Sequence, residues 1–167
     1  MRITVIGLVA SLGIAGKMHA APAPPVVWEA EHPSSIHRPL FRIETKRSFP
    51  HQISGDGYVQ MPWNKHHRAG HGTYRFKVPY AGMYYVWLRT QWQNPFSNRV
   101  YVAVNGGRPQ SLGEDATYQS WHWVGGRARV RCRAGWNTLV LQELDMGVKI
   151  DQILVTSDSN LIPAGIR

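Results

Sequence analysis

The feature that most constrains this chain is its two-residue rhythm of apolar and polar side chains. The rhythm recurs in short runs and is broken each time by Gly, Pro or Asn. Tyr74, Phe76 and Val78 leave one face of such a run, and Arg75 and Lys77 leave the other. Val100, Val102 and Val104 alternate with Tyr101 and Ala103. Side chains alternate across a strand, so each run reads as a strand with one buried face. The expected strands are 26–31, 41–48, 57–62, 72–79, 83–92, 99–105, 120–124, 128–133, 137–144 and 148–156. Turns are expected at Gly55-Asp56-Gly57, Ala81-Gly82, Asn105-Gly106-Gly107, Gly125-Gly126, Ala134-Gly135 and Met146-Gly147. No long segment carries a helical stripe. Many short strands with regular turns imply an all-β fold, a two-sheet sandwich or a barrel. The length of 167 residues leaves room for one ordinary domain.

The N-terminus breaks the rhythm. Met1-Arg2 is a short positive start, residues 3–16 are apolar, and Ala20-Ala21 precedes a Pro/Ala run. This layout is that of a secretory signal peptide over 1–20, cut after Ala20. A cut after Ala21 would place Pro22 just beyond the scissile bond. An uncleaved anchor is the alternative. Residues 21–27 form a Pro-rich leader, 28–157 the sandwich and 158–167 a C-terminal tail. The expected location is the periplasm, the cell surface or the medium. No membrane span remains after cleavage, because no apolar run approaches the roughly 20 residues required. A single cysteine, Cys132, excludes an internal disulfide. It alternates with Val130 and Ala128 and reads as a small buried apolar side chain.

Several segments, taken in order, resemble carbohydrate-binding modules of families 6 and 35. They are Trp28-Glu29-Ala30-Glu31, Gly57-Tyr58-Val59, Val78-Pro79-Tyr80-Ala81-Gly82-Met83-Tyr84 and Leu88-Arg89. Ser97-Asn98-Arg99-Val100-Tyr101-Val102 follows, with Arg99 where the family pattern has Ser. Ser120-Trp121-His122-Trp123-Val124, Ala134-Gly135-Trp136-Asn137-Thr138-Leu139 and the run from Lys149 to Thr156 complete the set. The resemblance implies a galactose-binding-domain-like jelly roll with a structural calcium ion. It assigns the matching acids Glu29, Glu31 and Asp151 to that ion.

The residues themselves allow two readings of these acids. Glu29 and Glu31 are two apart on a strand, so both leave one face and repel unless a cation lies between them. Ca²⁺ takes 6–8 oxygen ligands, carboxylates among them. Asp151 shares parity with Ile153 and Val155, points inward, and needs a partner. The other reading is a pair of solvated edge acids, with Asp151 held by backbone amides. A glycosidase needs two carboxylates across an open cleft. Glu114 and Asp115 sit together in a turn without an identifiable counterpart, so no enzyme is expected.

Sugar sites pair an aromatic platform with groups that bond hydroxyls. The loops around 91–98 and 118–121 offer both kinds. Trp92, Asn94, Asn98, Tyr118 and Trp121 are the candidate ligand residues. The alternative is that the tryptophans are core or lids, and that Asn98 closes the turn into the next strand. Tyr85, Trp87 and Arg89 form a second row, better suited to packing than to ligand. Arg127, Arg129, Arg131 and Arg133 form a basic row at strand spacing. Such a row suits an acidic polysaccharide or a protein partner, or it is a solvated face that blunts an edge. With 19 Lys+Arg against 10 Asp+Glu the charge would suit nucleic acid, but the export signal does not. Three histidines within 65–71 lie among cations that oppose metal binding, and read as a loop. The functional expectation is an exported, non-catalytic glycan-binding module with structural calcium. The alternative is an assembly subunit of an envelope or extracellular complex.

Overall fold

The computed structural model describes residues 22–44, 52–63, 70–142 and 144–167. The segment 1–20 expected to be a signal peptide, and His66 and His67, lie outside these residues. Among them the chain forms eleven strands and no helix: β1 (Val26–Glu29), β2 (Ser35–His37), β3 (Phe41–Glu44), β4 (Gly57–Gln60), β5 (His71–Val78), β6 (Gly82–Gln91), β7 (Arg99–Val104), β8 (Gln110–Gly113), β9 (His122–Cys132), β10 (Gly135–Gln142) and β11 (Lys149–Thr156). One sheet runs β3-β4-β11-β6-β9, and the other β2-β5-β10-β7-β8. β1 also pairs with β11, over Val155 to Gln152, while β4 takes Lys149 and Ile150. The result is the expected two-sheet, antiparallel jelly-roll sandwich. No described helix is long and apolar enough to cross a membrane.

The alternation places the core as the sequence implies. Tyr74, Phe76 and Val78 from β5 meet Val86 and Leu88 from β6, with Val100, Val102, Leu139, Leu141, Ile153 and Val155, all buried. Trp28 stacks on Phe76 at 5.3 Å between ring centroids. Cys132 is buried, and burial pushes its thiol up to about 11, as suits an inert core group.

Three features depart from the expected strands. The runs 120–124 and 128–133 are one strand, β9, and Gly125-Gly126 is a bulge within it, not a turn. Val86 faces Ala128 but Trp87 faces Gly125, so the extra residues loop out. Two short strands, β2 and β8, occupy connections that carry no sustained alternation. They pair with β5 and β7 and form the edges of their sheet. A second register shift falls between Ile150 and Gln152, and Asp151 at that shift is fully buried, as expected of an acid that needs a partner.

The outer face of the larger sheet is partly covered. Leu154 pairs with Trp87 and points away from the core, as does Gln152, yet both are fully buried. The C-terminal tail reaches Gln152. Gln152 Nε2 donates to the Arg167 carbonyl at 2.6 Å, and Arg167 N donates back to Gln152 Oε1 at 3.0 Å. Trp123 Nε1 donates to the Gly165 carbonyl at 2.7 Å.

Candidate functional site

The acidic corner forms where β1 ends. The loop carrying Gly55 lies against Glu29 and Glu31. A Cβ on Gly55 would sit 2.2 Å from Glu31 Oε1 and 3.1 Å from Glu29 Oε2, so both carboxylates converge on this glycine. Glu29 Oε1 accepts from Ser54 Oγ at 2.6 Å and Gln152 Nε2 at 3.1 Å. Glu31 Oε1 accepts from Asp56 N at 3.0 Å. The second oxygen of each carboxylate, Oε2, is buried without a hydrogen bond. Orphaned carboxylate oxygens are the donor type that a hard divalent cation takes.

Asp151 is engaged elsewhere. Its carboxylate pairs with the Arg89 guanidinium and accepts from Ser54 N at 3.0 Å. Burial raises its pKa to about 6, against the opposing pull of Arg89 and the Ser54 amide. Among the described residues no three His, Cys, Asp or Glu side chains group as metal ligands. The three-acid set thus reduces to two converging glutamates, with Asp151 held by an arginine.

The five expected ligand residues separate. Trp92 is fully buried, which overturns its reading as an open platform. Its Nε1 donates to Asp115 Oδ1 at 3.1 Å, and its ring meets His122 at 71° and 6.1 Å. Asp115 Oδ2 in turn meets His122 Nε2 at 2.8 Å. Trp92 therefore pins two loops together from inside. Asn94 closes its own turn, with Oδ1 accepting from Phe96 N at 2.9 Å. Asn98 is buried at 8% exposure, and its main chain joins Asp145 and Glu114. Both asparagines shape the loop. Tyr118 is half-buried against the core.

Trp121, like Asn94 and Tyr118, is partly exposed, and it lies on the outer face of the sheet. Its ring meets Tyr58 at 65° and 5.8 Å, and the Arg89 guanidinium lies 5.6 Å from its centroid. Beside it, Gln60, Lys149 and Gln91 stand in register across β4, β11 and β6. Lys149 Nζ donates to Gln91 Oε1 at 2.6 Å, and partial burial lowers the lysine's pKa. An aromatic plate thus adjoins amides and an ammonium. Arg89 is likewise buried here as a partner of Asp151 and Trp121, in line with the packing role read for its row.

Among the described residues the aromatics Trp63, Tyr80, Phe96 and Trp136 are exposed, and the sequence reading made none of them a candidate. Trp63 is 54% exposed, and Gly147 lies so close to its ring that a Cβ there would be 2.4 Å from Cζ2. Phe96 is 91% exposed. The signals were present: Trp63 follows a strand-ending Pro62, and Phe96 follows Asn94-Pro95 in a turn.

At the sandwich edge, a cleft of about 430 Å³ opens between β8 and β9. Its lining includes Trp87, Trp123, Glu114, Asp115 and Arg127. Arg127, Arg129, Arg131 and Arg133 are all exposed, while the intervening Ala128, Val130 and Cys132 are buried.

No protein-family model matches the chain, and no curated protein matches it. Solved structures do. A family 35 carbohydrate-binding module from Clostridium thermocellum superposes with a TM-score of 0.61 at 20% identity, over 79% of this chain and 98% of the module. The C-terminal CBM6 of LamC, a marine laminarinase from Zobellia galactanivorans, gives 0.56 at 18% identity, over 80% and 100%. The fold is that of carbohydrate-binding modules of families 6 and 35. The same fold occurs inside enzymes: an Arthrobacter globiformis isomalto-dextranase solved with panose matches at 0.61 and 14% identity, over 78% of this chain. The chain spans about a quarter of that enzyme's length, 23%.

Proposed function

We propose that this protein is an exported, non-catalytic glycan-binding module, with its sugar site on the outer face at Trp121. The observation that carries the reading is the Trp121 ring, braced by Arg89 and Tyr58 beside the Gln60–Lys149–Gln91 row. A sugar's C–H face stacks on such a ring, while amide and ammonium groups bond its hydroxyls. The full-length likeness to modules named for carbohydrate binding supports the same reading. Asp115, one of the two turn acids, has both oxygens engaged by Trp92, Thr117 N and His122, which suits a structural rather than a catalytic role. Glu29 and Glu31 would hold a structural Ca²⁺ through their orphaned oxygens; the ion would neutralise the pair and tie the end of β1 to the 52–56 loop.

Affinity electrophoresis through laminarin, β-1,3-galactan, galactomannan and dextran tests this. At least one neutral glycan should retard the protein. Trp121→Ala should weaken that retardation roughly tenfold or more, as loss of a stacking anchor does, with the melting curve preserved. Retardation by none of them, or an unchanged Trp121→Ala variant, would refute the site.

A second reading, an assembly subunit of an envelope or extracellular complex, is favoured by the 91% exposure of Phe96 and 54% of Trp63. Exposed aromatics of this size are typical of contact surfaces. On that reading, Phe96→Ser should release a stoichiometric partner from the exported complex and leave glycan retardation unchanged.

A further inference from the structure

The basic row has no ion-pair partner among the described residues. Across the sheet Arg129 faces Tyr85 and Arg131 faces Met83, so no acid stands opposite either. No described carboxylate forms an ion pair with Arg127, Arg129, Arg131 or Arg133. Arg133 Nε instead donates to the Trp136 carbonyl at 3.0 Å. Like charges at a strand's same-face spacing of about 6.6–6.8 Å repel, and a bound anion relieves that repulsion.

The backbone beneath the row is held rigidly. Gln110 on β8 grips Arg129 on β9 from both sides: Nε2 donates to the Arg129 carbonyl, and Oε1 accepts from Arg129 N at 2.9 Å. This bridges the two sheet edges. The row then runs directly into the edge cleft, because Arg127 belongs to both. Inside the cleft the indoles are fixed in place. Trp87 lies on the Gly125-Gly126 bulge, where a Cβ on Gly126 would come within 2.7 Å of its ring, and Trp123 is tied to Gly165.

We propose that the β8–β9 edge is a second ligand site, for a polysaccharide of anionic sugars. The cleft takes one sugar residue against Trp87 and Trp123, with Glu114 accepting its hydroxyls. The arginine row takes the carboxylate or sulfate groups of the residues that follow. The site rests on the glycan-binding reading for the kind of polymer, but it uses none of the Trp121 residues.

The test is affinity electrophoresis of the full exported chain through polygalacturonate, laminarin and a short DNA duplex, at low and moderate salt. Polygalacturonate should retard the protein, and moderate salt should weaken that retardation, since exposed charges are screened within about 8–10 Å. Arg129→Glu with Arg131→Glu should weaken it roughly tenfold or more. Both side chains are exposed, so this variant keeps the fold, and its melting curve verifies that. Trp121→Ala should leave polygalacturonate binding intact, and the arginine variant should leave neutral-glycan binding intact. The two sites therefore fail separately. Unchanged polygalacturonate binding in the arginine variant would overturn the proposal. So would a DNA duplex binding as tightly as polygalacturonate, which would make the row a general polyanion surface.

Discussion

Asn137 shows how one side chain can hold a corner of this fold. It is 1% exposed and makes four hydrogen bonds. Its Nδ2 donates to the carbonyls of Arg133 and Gly135, both at 2.9 Å. Its Oδ1 accepts from Arg133 N at 3.0 Å and from Asn105 Nδ2 at 2.7 Å. Two turns, after β9 and after β7, thus share one amide. Truncation leaves several of these partners unpaired in a buried place, so Asn137→Ala should cost about 2–3 kcal/mol. Urea denaturation measures this; a change within about 0.5 kcal/mol, the ordinary surface effect, would refute the role. Identity alone does not decide a residue's part. Trp92 and Trp121 both flank the same loops in sequence, yet one is a core pin and the other a half-exposed plate. The difference lies in Asp115, which bonds the Trp92 indole from 23 positions away.

Among the elements, β9 departs furthest from local reading. Two adjacent glycines ordinarily signal a turn, and here they build a bulge inside an eleven-residue strand. Both have positive φ, 155° at Gly125 and 72° at Gly126. Both are also overlain, since a Cβ on Gly125 would lie 2.3 Å from the Val86 carbonyl oxygen. Gly126→Ala should therefore destabilise the protein by about 2 kcal/mol or more, through backbone strain and displacement of Trp87. The same substitution should alter the Trp87 contribution to fluorescence and weaken polygalacturonate binding. A neutral effect on all three would show that the bulge does not support the cleft. The short edge strands β2 and β8 were illegible for a different reason. Ser35–His37 and Gln110–Gly113 are too brief for alternation to register, and they are strands only because β5 and β7 offer free edges.

At the scale of the whole molecule, the calcium reading is a claim about stability. Glu29 ends β1 and Glu31 lies in the turn just after it, near the start of the described chain, and the 52–56 loop closes over them. A cation at about 100 times its dissociation constant adds roughly 2.7 kcal/mol to the folded state. In a domain of this size each kcal/mol moves the melting temperature about 2–4 °C. A chelator should therefore lower it by roughly 5–10 °C. Glu29→Gln with Glu31→Gln should remove that response, because the neutral pair no longer needs a counter-ion. Identical melting curves with and without chelator, in protein that elemental analysis finds metal-free, would sink the reading.

The sequence by itself determined the fold class and most of the core. Inside and outside are set by side-chain parity, and parity is local: Tyr74, Phe76 and Val78, or Val100 and Val102, declare their face within a few residues. It also marked the Glu29–Glu31 pair, but the strand expected to carry both ends at Glu29, and the loop at Gly55 is where the two carboxylates meet. Only the tertiary structure decided where that parity breaks and what covers each face. Asp151 meets Arg89 across 62 positions of sequence, beside a register shift that no local pattern announces. The tail's contact with Gln152, the burial of Trp92 and the cleft between β8 and β9 are of the same kind. Each arises from contacts between segments far apart in the chain, and such contacts leave no periodic trace in either partner.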